Sequence, residues 1–302
     1  TLTQESKGGQ SVVGWVHHLR KAWSVQFSPA TNAQFSSAVD IMFVHGAWLT
    51  PLCWDKWVLF FSAKGYSCIA PPWPFHELSV QMLRADPPAG LARLGVSDII
   101  ERYAARIRIE KTPPVLIGHS FGGLFVQILL DMGLGAAGVV IDPAAPRGVS
   151  PLRPSSVKST APFLFTWGAW WREVHMSFPM FKYSFTNGLP PAYQKQEFER
   201  HIVPESGRIF FQTLFAPFDR HSPIAIDFGN RSRPPLLIIA GGTDTIVPAS
   251  VNRVNHKRYV DAGVPTDYKE FPGRCHWTIA QPGWEEVADY AAGWLSQRIH
   301  FD

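Results

Sequence analysis

The stretch PPVLIGHSFGGLF, residues 113–125, joins an apolar run to a glycine-rich turn and carries one hydroxyl, Ser120, at the junction. The apolar run predicts a strand, and the residues after the turn predict a helix. Gly118 and Gly122 have no side chains that would collide around so sharp a corner. Ser120 is therefore expected to project at a helix N-terminus, beside backbone N–H groups that stabilise a developing negative charge. The competing interpretation is an ordinary strand-to-helix turn with an incidental serine.

Apolar runs and helix-patterned segments alternate on both sides of this turn. The predicted strands are residues 23–27, 41–46, 66–70, 113–118, 136–142, 233–242 and 266–273. The predicted helices are residues 54–65, 96–107, 121–133, 248–263 and 283–299. This alternation is typical of an α/β fold with a mostly parallel, doubly wound sheet. Residues 1–22 fit both a short helix and a strand followed by a turn.

The alternation breaks between Asp142 and Arg233, where Pro, Phe and Trp are frequent and no strand of similar quality appears. From residue 147 to residue 228, 16 of the 82 residues are Phe, Trp or Tyr, whereas the whole chain has 13%. We interpret residues 147–228 as a mainly helical cap that folds over the sheet. Residues 1–146 and 229–302 would then form the core domain. Most of the aromatic side chains in the cap are expected to fill its own interior.

Composition narrows the possible classes of protein. With 302 residues and 46% apolar content, the chain can bury one large core. The net charge of +4 comes from scattered Lys and Arg without a basic run, which argues against a nucleic-acid partner. No segment approaches the roughly 20 apolar residues of a membrane span. Cys53, Cys68 and Cys275 lie at no metal-ligand spacing, and their odd number fits a reducing compartment better than a set of disulfides. We therefore expect free thiols and a cytoplasmic location. We also expect no metal and no other cofactor.

Two further polar side chains follow predicted strands. Asp244 lies in GGTDTIVP and His276 lies in RCHW, each directly after a strand. Because the carboxyl ends of parallel strands meet at one edge of a sheet, both side chains are expected to approach Ser120 there. An imidazole at that place would accept the serine proton, and a carboxylate would orient the imidazole. Asp142 also follows a strand and is the alternative acid.

In the order of these three residues and in its G-x-S-x-G turn, the chain resembles the α/β-hydrolase superfamily from about Trp23 onward. The resemblance implies a catalytic triad in which Ser120 is the nucleophile, His276 the base and Asp244 the acid. Dehalogenases and epoxide hydrolases of this fold carry Asp as the nucleophile. The serine therefore argues against those two activities.

The same resemblance gives a role to the stretch VHGAW, residues 44–48. It implies that the backbone N–H of Ala47 donates to the oxyanion hole, and that the N–H of Phe121, directly after the nucleophile, is the second donor. It implies a structural role for His45, which would brace the loop rather than act as a base.

We expect a serine hydrolase that cleaves carboxylic esters of small apolar or aromatic molecules through an acyl-serine intermediate. Amides, lactones and carbamates are further candidate substrates. The side chains assigned to substrate binding are Trp48, Trp167, Trp170 and Trp171.

Two alternative functions use the same residues. One is a carbon–carbon or hydroxynitrile lyase, in which His276 is the base and no acyl-enzyme forms. The other is a hydrolase-like ligand receptor that turns over slowly and presents its cap to a partner. The sequence determines neither the natural substrate nor the oligomeric state.

Overall fold

The computed structural model describes residues 39–259 and 263–299. Its strands are β1 Ile41–Val44, β2 Cys68–Ile69, β3 Val115–His119, β4 Ala137–Ile141, β5 Glu173–Val174, β6 Glu205–Ser206, β7 Leu236–Gly241 and β8 Thr266–Phe271. Six of them form a parallel sheet in the order β2-β1-β3-β4-β7-β8, and β5 pairs with β6 in a separate antiparallel sheet. The predicted strand 23–27 and the segment 1–22 lie outside the described residues.

Helices flank the parallel sheet and fill the connections between its strands. They are α1 Asp55–Ala63, α2 Val80–Ala85, α3 Val96–Arg108, α4 Phe121–Asp131, α5 Pro154–Leu164, α6 Phe178–Ser184, α7 Pro191–His201, α8 Gly207–Phe215, α9 Ala249–Arg258 and α10 Trp284–Ser296. None of the helices in the described part of the chain is long and apolar enough to cross a membrane. The prediction of an α/β fold with a mostly parallel sheet is confirmed.

The position of each strand in the sheet explains its composition. The central strands β1, β3, β4 and β7 are buried along their whole length, which is why each is a continuous apolar run. The edge strand β8 reads TDYKEF and is only half-buried over most of its length. An edge strand has one neighbour, so its polar side chains keep access to solvent.

The strand order places a crevice between β1 and β3. From β1 the chain passes to β2 on one side and then returns to β3 on the other side. In open α/β sheets, ligands bind at the carboxyl ends of the strands where the direction of winding reverses. The loop after β1 contains VHGAW and the turn after β3 contains Ser120, so both motifs lie at this reversal.

Local capping explains one difference from the predicted helix 54–65. A 3₁₀ turn, Pro51–Trp54, precedes the α-helix because Pro51 occupies the first helical position and the Thr50 hydroxyl accepts the N–H of Leu52. The short helix α2 was not predicted. Its six residues are too few to show a helical period, and its visible signal is Ser79, which caps the N–H of Met82.

The connection between β4 and β7 is mainly helical. It contains α5 to α8, two 3₁₀ turns and the two short strands β5 and β6. These strands have two residues each, so no period-2 pattern could have revealed them. The division into a core domain and a cap at 147–228 stays a prediction.

Candidate active site

Ser120 occupies the corner between β3 and α4 with φ 55° and ψ −120°, a conformation that a non-glycine residue seldom adopts. Close backbone packing surrounds this corner. A Cβ atom on Gly122 would lie 2.1 Å from the carbonyl oxygen of Val44, and one on Gly118 would lie 2.4 Å from the carbonyl oxygen of Gly122. The glycines of the motif are therefore required by the approach of α4 to β1 and β3.

His276 and Asp244 form a buried hydrogen-bonded pair in the loops after β8 and β7. Their side chains are wholly buried, and His276 Nδ1 lies 2.6 Å from Asp244 Oδ2. The other carboxylate oxygen of Asp244 accepts the N–H groups of Ile246 and Val247, at 2.8 and 2.9 Å. These bonds fix the carboxylate, which in turn fixes the orientation of the imidazole.

Burial shifts the pKa values of both members of this pair. It lowers the pKa of His276 to about 3, so the ring is a free base at neutral pH. Burial also raises the pKa of Asp244, whereas the two N–H groups that it accepts favour its charged form. His276 Nε2 is buried and hydrogen-bonded to no group of the described residues. The nitrogen predicted to receive the serine proton therefore has no partner among the described residues.

His119, the last residue of β3, contacts the loop that carries His276. Its ring lies 4.8 Å from the ring of His276, and its Nε2 lies 2.8 Å from the carbonyl oxygen of His276. Because a carbonyl only accepts, His119 Nε2 donates in this bond. The contact holds His276 next to the end of β3, where Ser120 follows.

The two backbone groups assigned to the oxyanion hole are available. Within residues 39–259 and 263–299, no group accepts a hydrogen bond from the N–H of Ala47 or of Phe121. The loop of Ala47 lies against Ser120, since a Cβ atom on Gly46 would be 3.0 Å from the Cβ of Ser120. His45 is buried, and its Nε2 accepts the N–H of Trp73 at 3.1 Å, which is the bracing contact expected for it.

Asp142 lies close to the pair without sharing the bond to Nδ1. Its Oδ1 accepts the N–H of Gly241 at 2.6 Å, and its Oδ2 has no partner among the described residues. Burial, and then the charge of Asp244, raise its pKa well above the usual range. The geometry therefore favours Asp244 as the acid.

Among the described residues, one group of three side chains brings possible metal-ligand atoms close together. Ligand atoms of His119, Asp142 and His276 lie within 4.8 Å of one another. The sequence shows no metal-ligand spacing here, because the three residues come from different strands and loops. His276 already holds Asp244 through Nδ1, and His119 is bound through Nε2, so each ring has one nitrogen left.

A cavity of about 430 Å³ opens beside Ser120. Its lining is almost entirely apolar, and the residues that dominate it are Trp48, Phe121, Phe163, Phe210, Phe211 and Val247. The volume lies within the usual range for a small-molecule site. The sequence pointed to the aromatic-rich segment as a whole, but it did not single out Phe163 or Phe210. Their selection depends on the packing of α5 against α8.

The four tryptophans assigned to substrate binding are not brought together. Trp48 lines the cavity, where its ring stacks on Phe210 with 4.5 Å between centroids. Trp167 and Trp171 are 86% and 76% exposed and do not line it. Trp170 packs instead against Phe211 at 5.6 Å. The substrate contacts predicted for these three tryptophans therefore have no support from their positions.

Comparisons with known proteins agree with the fold. The model of the alpha/beta hydrolase family matches residues 41–289. A monoacylglycerol lipase from Paleococcus ferrophilus is similar with a TM-score of 0.61 and 18% identity, covering 87% of this chain and 97% of its own. A pyrethroid hydrolase from Sphingobium faniae gives a TM-score of 0.59 and 19% identity, with 86% and 98% covered. The curated proteins gave no sequence match.

A third similar structure is an extracellular alpha/beta-hydrolase from a Paenibacillus species, described as sharing structural and functional homology with tobacco salicylic acid binding protein 2. Its TM-score is 0.61 at 17% identity, and the match covers 84% of this chain and 98% of that one. Likeness at such identities shows the fold. Because the family model also spans most of the sequence, including both loops that hold the histidine and the acid, this chain belongs to the alpha/beta hydrolase family.

Proposed function

We propose that the protein is a serine hydrolase that cleaves carboxylic esters of small apolar or aromatic molecules. The observation that carries this proposal is the position of Ser120. Ser120 lies on a strained turn and lines an apolar cavity. It directly follows His119 of β3, which is hydrogen-bonded to His276 of the buried His276–Asp244 pair. The similar structures include a lipase and a pyrethroid hydrolase, which supports hydrolysis.

The proposed reaction has two halves. In the first, His276 Nε2 takes the proton of Ser120 while Oγ bonds to the ester carbonyl carbon. The oxyanion that forms accepts the N–H groups of Ala47 and Phe121. When the intermediate collapses, the carbon–oxygen bond to the alcohol breaks and His276 returns the proton to the leaving oxygen. In the second half, His276 takes a proton from a water that attacks the acyl carbon; the bond from that carbon to Ser120 Oγ then breaks, His276 returns the proton to Oγ, and the carboxylic acid leaves.

The cavity supports an apolar substrate. Its walls combine side chains from the sheet region, such as Val247, with side chains from α5 and α8, such as Phe163 and Phe210. We propose that residues 147–228 form the cap predicted from the sequence, because they supply this second wall. An apolar acyl or alcohol group gains binding energy there from the burial of its own surface.

The function is tested by labelling followed by turnover. A fluorophosphonate probe should modify Ser120, identified by peptide mass spectrometry, and the protein should hydrolyse a panel of aliphatic and aromatic esters. Rapid quenching should then trap the acyl group on the same peptide. Absence of both labelling and turnover would refute the hydrolase. Turnover without an acyl-serine would favour a lyase, and labelling with very slow turnover would favour a receptor.

The cavity wall makes a prediction about specificity. Phe210→Ala should change the ratio of kcat/KM between short aliphatic and bulky aromatic esters, because it enlarges the cavity. Expressed as a difference in activation free energy between the two ester classes, the expected change is about 1–3 kcal/mol. Trp171→Ala is the control and should leave the ratio unchanged, since Trp171 is exposed. Steady-state kinetics with both ester series measures the ratio. Phe210→Leu, which removes less buried surface, should move it in the same direction. An unchanged ratio in both Phe210 variants would contradict this cavity assignment.

The cysteines bear on the compartment. Cys53, Cys68 and Cys275 are all unpaired. Burial raises the pKa of Cys275 to about 12, which keeps its thiol protonated and unreactive although it adjoins His276. We propose a reducing, cytoplasmic location, where free thiols persist.

A further inference from the structure

A buried carboxylate outside the proposed triad contacts the loop that carries an oxyanion donor. Glu205, in β6, is fully buried. Its Oε2 accepts the backbone N–H of Trp48 at 3.2 Å, and its Oε1 accepts the N–H of Ser206 at 2.7 Å. A carboxylate placed away from solvent is costly unless hydrogen bonds compensate it. The burial of the Glu205 carboxylate therefore needs a structural or functional explanation.

The contact falls on an unusual backbone. Trp48 has φ 61°, a left-handed conformation that bulky residues rarely adopt. Its carbonyl oxygen accepts the N–H of Val203 at 2.9 Å. Both backbone polar groups of Trp48 are thus bound to the short segment 203–205. The peptide unit that contains the Trp48 N–H also contains the carbonyl of Ala47, so these bonds fix the backbone of Ala47 from its carboxyl side.

We propose that Glu205 is a positioning residue, which holds the loop of residues 46–48 so that the N–H of Ala47 points at the reacting carbonyl oxygen. This inference rests on the proposed hydrolase function. An oxyanion donor is effective only when its direction is set before charge develops. The bond from Glu205 supplies that constraint and offsets the strain at Trp48.

The ring of His76 contacts the same carboxylate oxygen of Glu205 that accepts the N–H of Trp48. Its Nε2 lies 3.4 Å from Glu205 Oε2, and its Nδ1 lies 3.1 Å from the carbonyl oxygen of Pro74. Nδ1 must donate to that carbonyl, so Nε2 faces the carboxylate favourably only when the ring carries both protons. Burial is the largest single influence on the pKa of His76 and lowers it, but the charge and hydrogen bond of Glu205, the bond to Pro74 and the charge of Glu77 together outweigh burial, so the net shift is upward. Within the described part of the chain, the other titratable groups facing the ring are His45 and Glu77.

The first experiment separates positioning from stability. Glu205→Ala should lower kcat about 10- to 100-fold with little change in KM, and Glu205→Gln, which keeps one acceptor, should lower it less. Affinity for a boronic acid, which forms a tetrahedral adduct with the serine, should fall by a similar factor. Glu110→Gln is the matched control, because Glu110 also accepts a backbone N–H, from Val39, but lies away from Ser120. It should change none of these values.

A second measurement does not depend on activity. Hydrogen exchange, followed by mass spectrometry of a peptide covering residues 45–50, should become faster in Glu205→Ala and stay unchanged in Glu110→Gln. Unchanged kcat, boronate affinity and exchange in folded Glu205 variants would overturn the inference. If Glu205→Ala does not fold, Glu205→Gln decides by the same three readouts. Failure of the wild-type protein to hydrolyse or bind any probe refutes the proposed function instead, whereas the exchange result still tests the loop contact.

The His76 contact predicts a pH dependence. The pKa of His76 in the folded protein is raised above the ordinary value of 6.5. The ion pair with Glu205 therefore stabilises the protein fully below pH 6.5, and this stabilisation is lost as the pH rises through the folded pKa of His76. His76→Gln should therefore lower Tm more at about pH 6 than at about pH 9. Thermal unfolding of both proteins at the two pH values measures this. An equal loss at both values would show that His76 does not pair with Glu205 as a cation.

Discussion

Ser120→Ala is expected to abolish ester hydrolysis and labelling by a fluorophosphonate, because it removes the attacking oxygen. In a serine protease, loss of the nucleophile lowers kcat by about 10⁶-fold, and we expect a decrease of that order. The fold should survive, since alanine has the same Cβ and loses only a hydroxyl. Turnover, intact-protein mass after labelling and thermal unfolding together measure the effect.

Ser156 provides the matched control. It is also buried, and it lines the same cavity as Ser120, but it lies in α5 rather than on the turn after β3. Ser156→Ala should keep labelling and most of the turnover. Substantial labelling of Ser120→Ala, or loss of labelling in Ser156→Ala alone, would move the nucleophile to another residue.

Asp244→Asn is expected to lower kcat by several orders of magnitude, about 10⁴-fold in the chymotrypsin-type triad. The carboxylate accepts a hydrogen bond from the N–H at His276 Nδ1, which keeps that proton on Nδ1 and leaves Nε2 free to take the serine proton. An amide can donate to Nδ1 and so place the ring proton on Nε2, where it blocks the reaction. Kinetics at saturating ester, together with an unchanged Tm, would show that the loss concerns the tautomer and not the fold.

Asp142→Asn should lower kcat far less than Asp244→Asn. Burial and the charge of Asp244 raise the pKa of Asp142, which favours its neutral form, and a neutral amide resembles that form in shape and charge. The amide oxygen can still accept the N–H of Gly241. If Asp142→Asn were inactive and Asp244→Asn nearly normal, the acid would have to be reassigned to Asp142, with Ser120 and His276 kept.

Much of the fold was predictable because its signals are local. Continuous apolar runs identified the central strands, and the glycines around Ser120 identified the turn after β3. The strand ends before Asp244 and His276 placed both residues at one edge of the sheet. Elements without a local signal were missed. The helix α2 is too short for a period, and the strands β5 and β6 exist only because they pair with each other.

The assignment of substrate-contacting aromatics shows where local signals end. Trp167, Trp170 and Trp171 lie in the segment that the sequence singled out, yet the cavity is lined by Trp48, Phe163 and others. An aromatic residue in a helix has the same sequence signature whether it faces a cavity, a neighbouring helix or water. Which of these occurs depends on how α5 and α8 pack, and packing involves residues distant in the chain.

By itself, the sequence determined the α/β class, the turn that presents Ser120, and the chain order of the three candidate catalytic residues. Each of these has a signal in residues that are adjacent in the sequence. Only the tertiary structure decided that His276 bonds to Asp244 rather than Asp142, and that Glu205 holds the backbone of Trp48 across 157 positions of sequence. Both carboxylates follow strands, so strand position alone does not separate them; the family resemblance favoured Asp244, and the bond itself is visible only in the structure. A hydrogen bond needs its two atoms within about 3 Å in space, and that distance is set by packing of the whole chain.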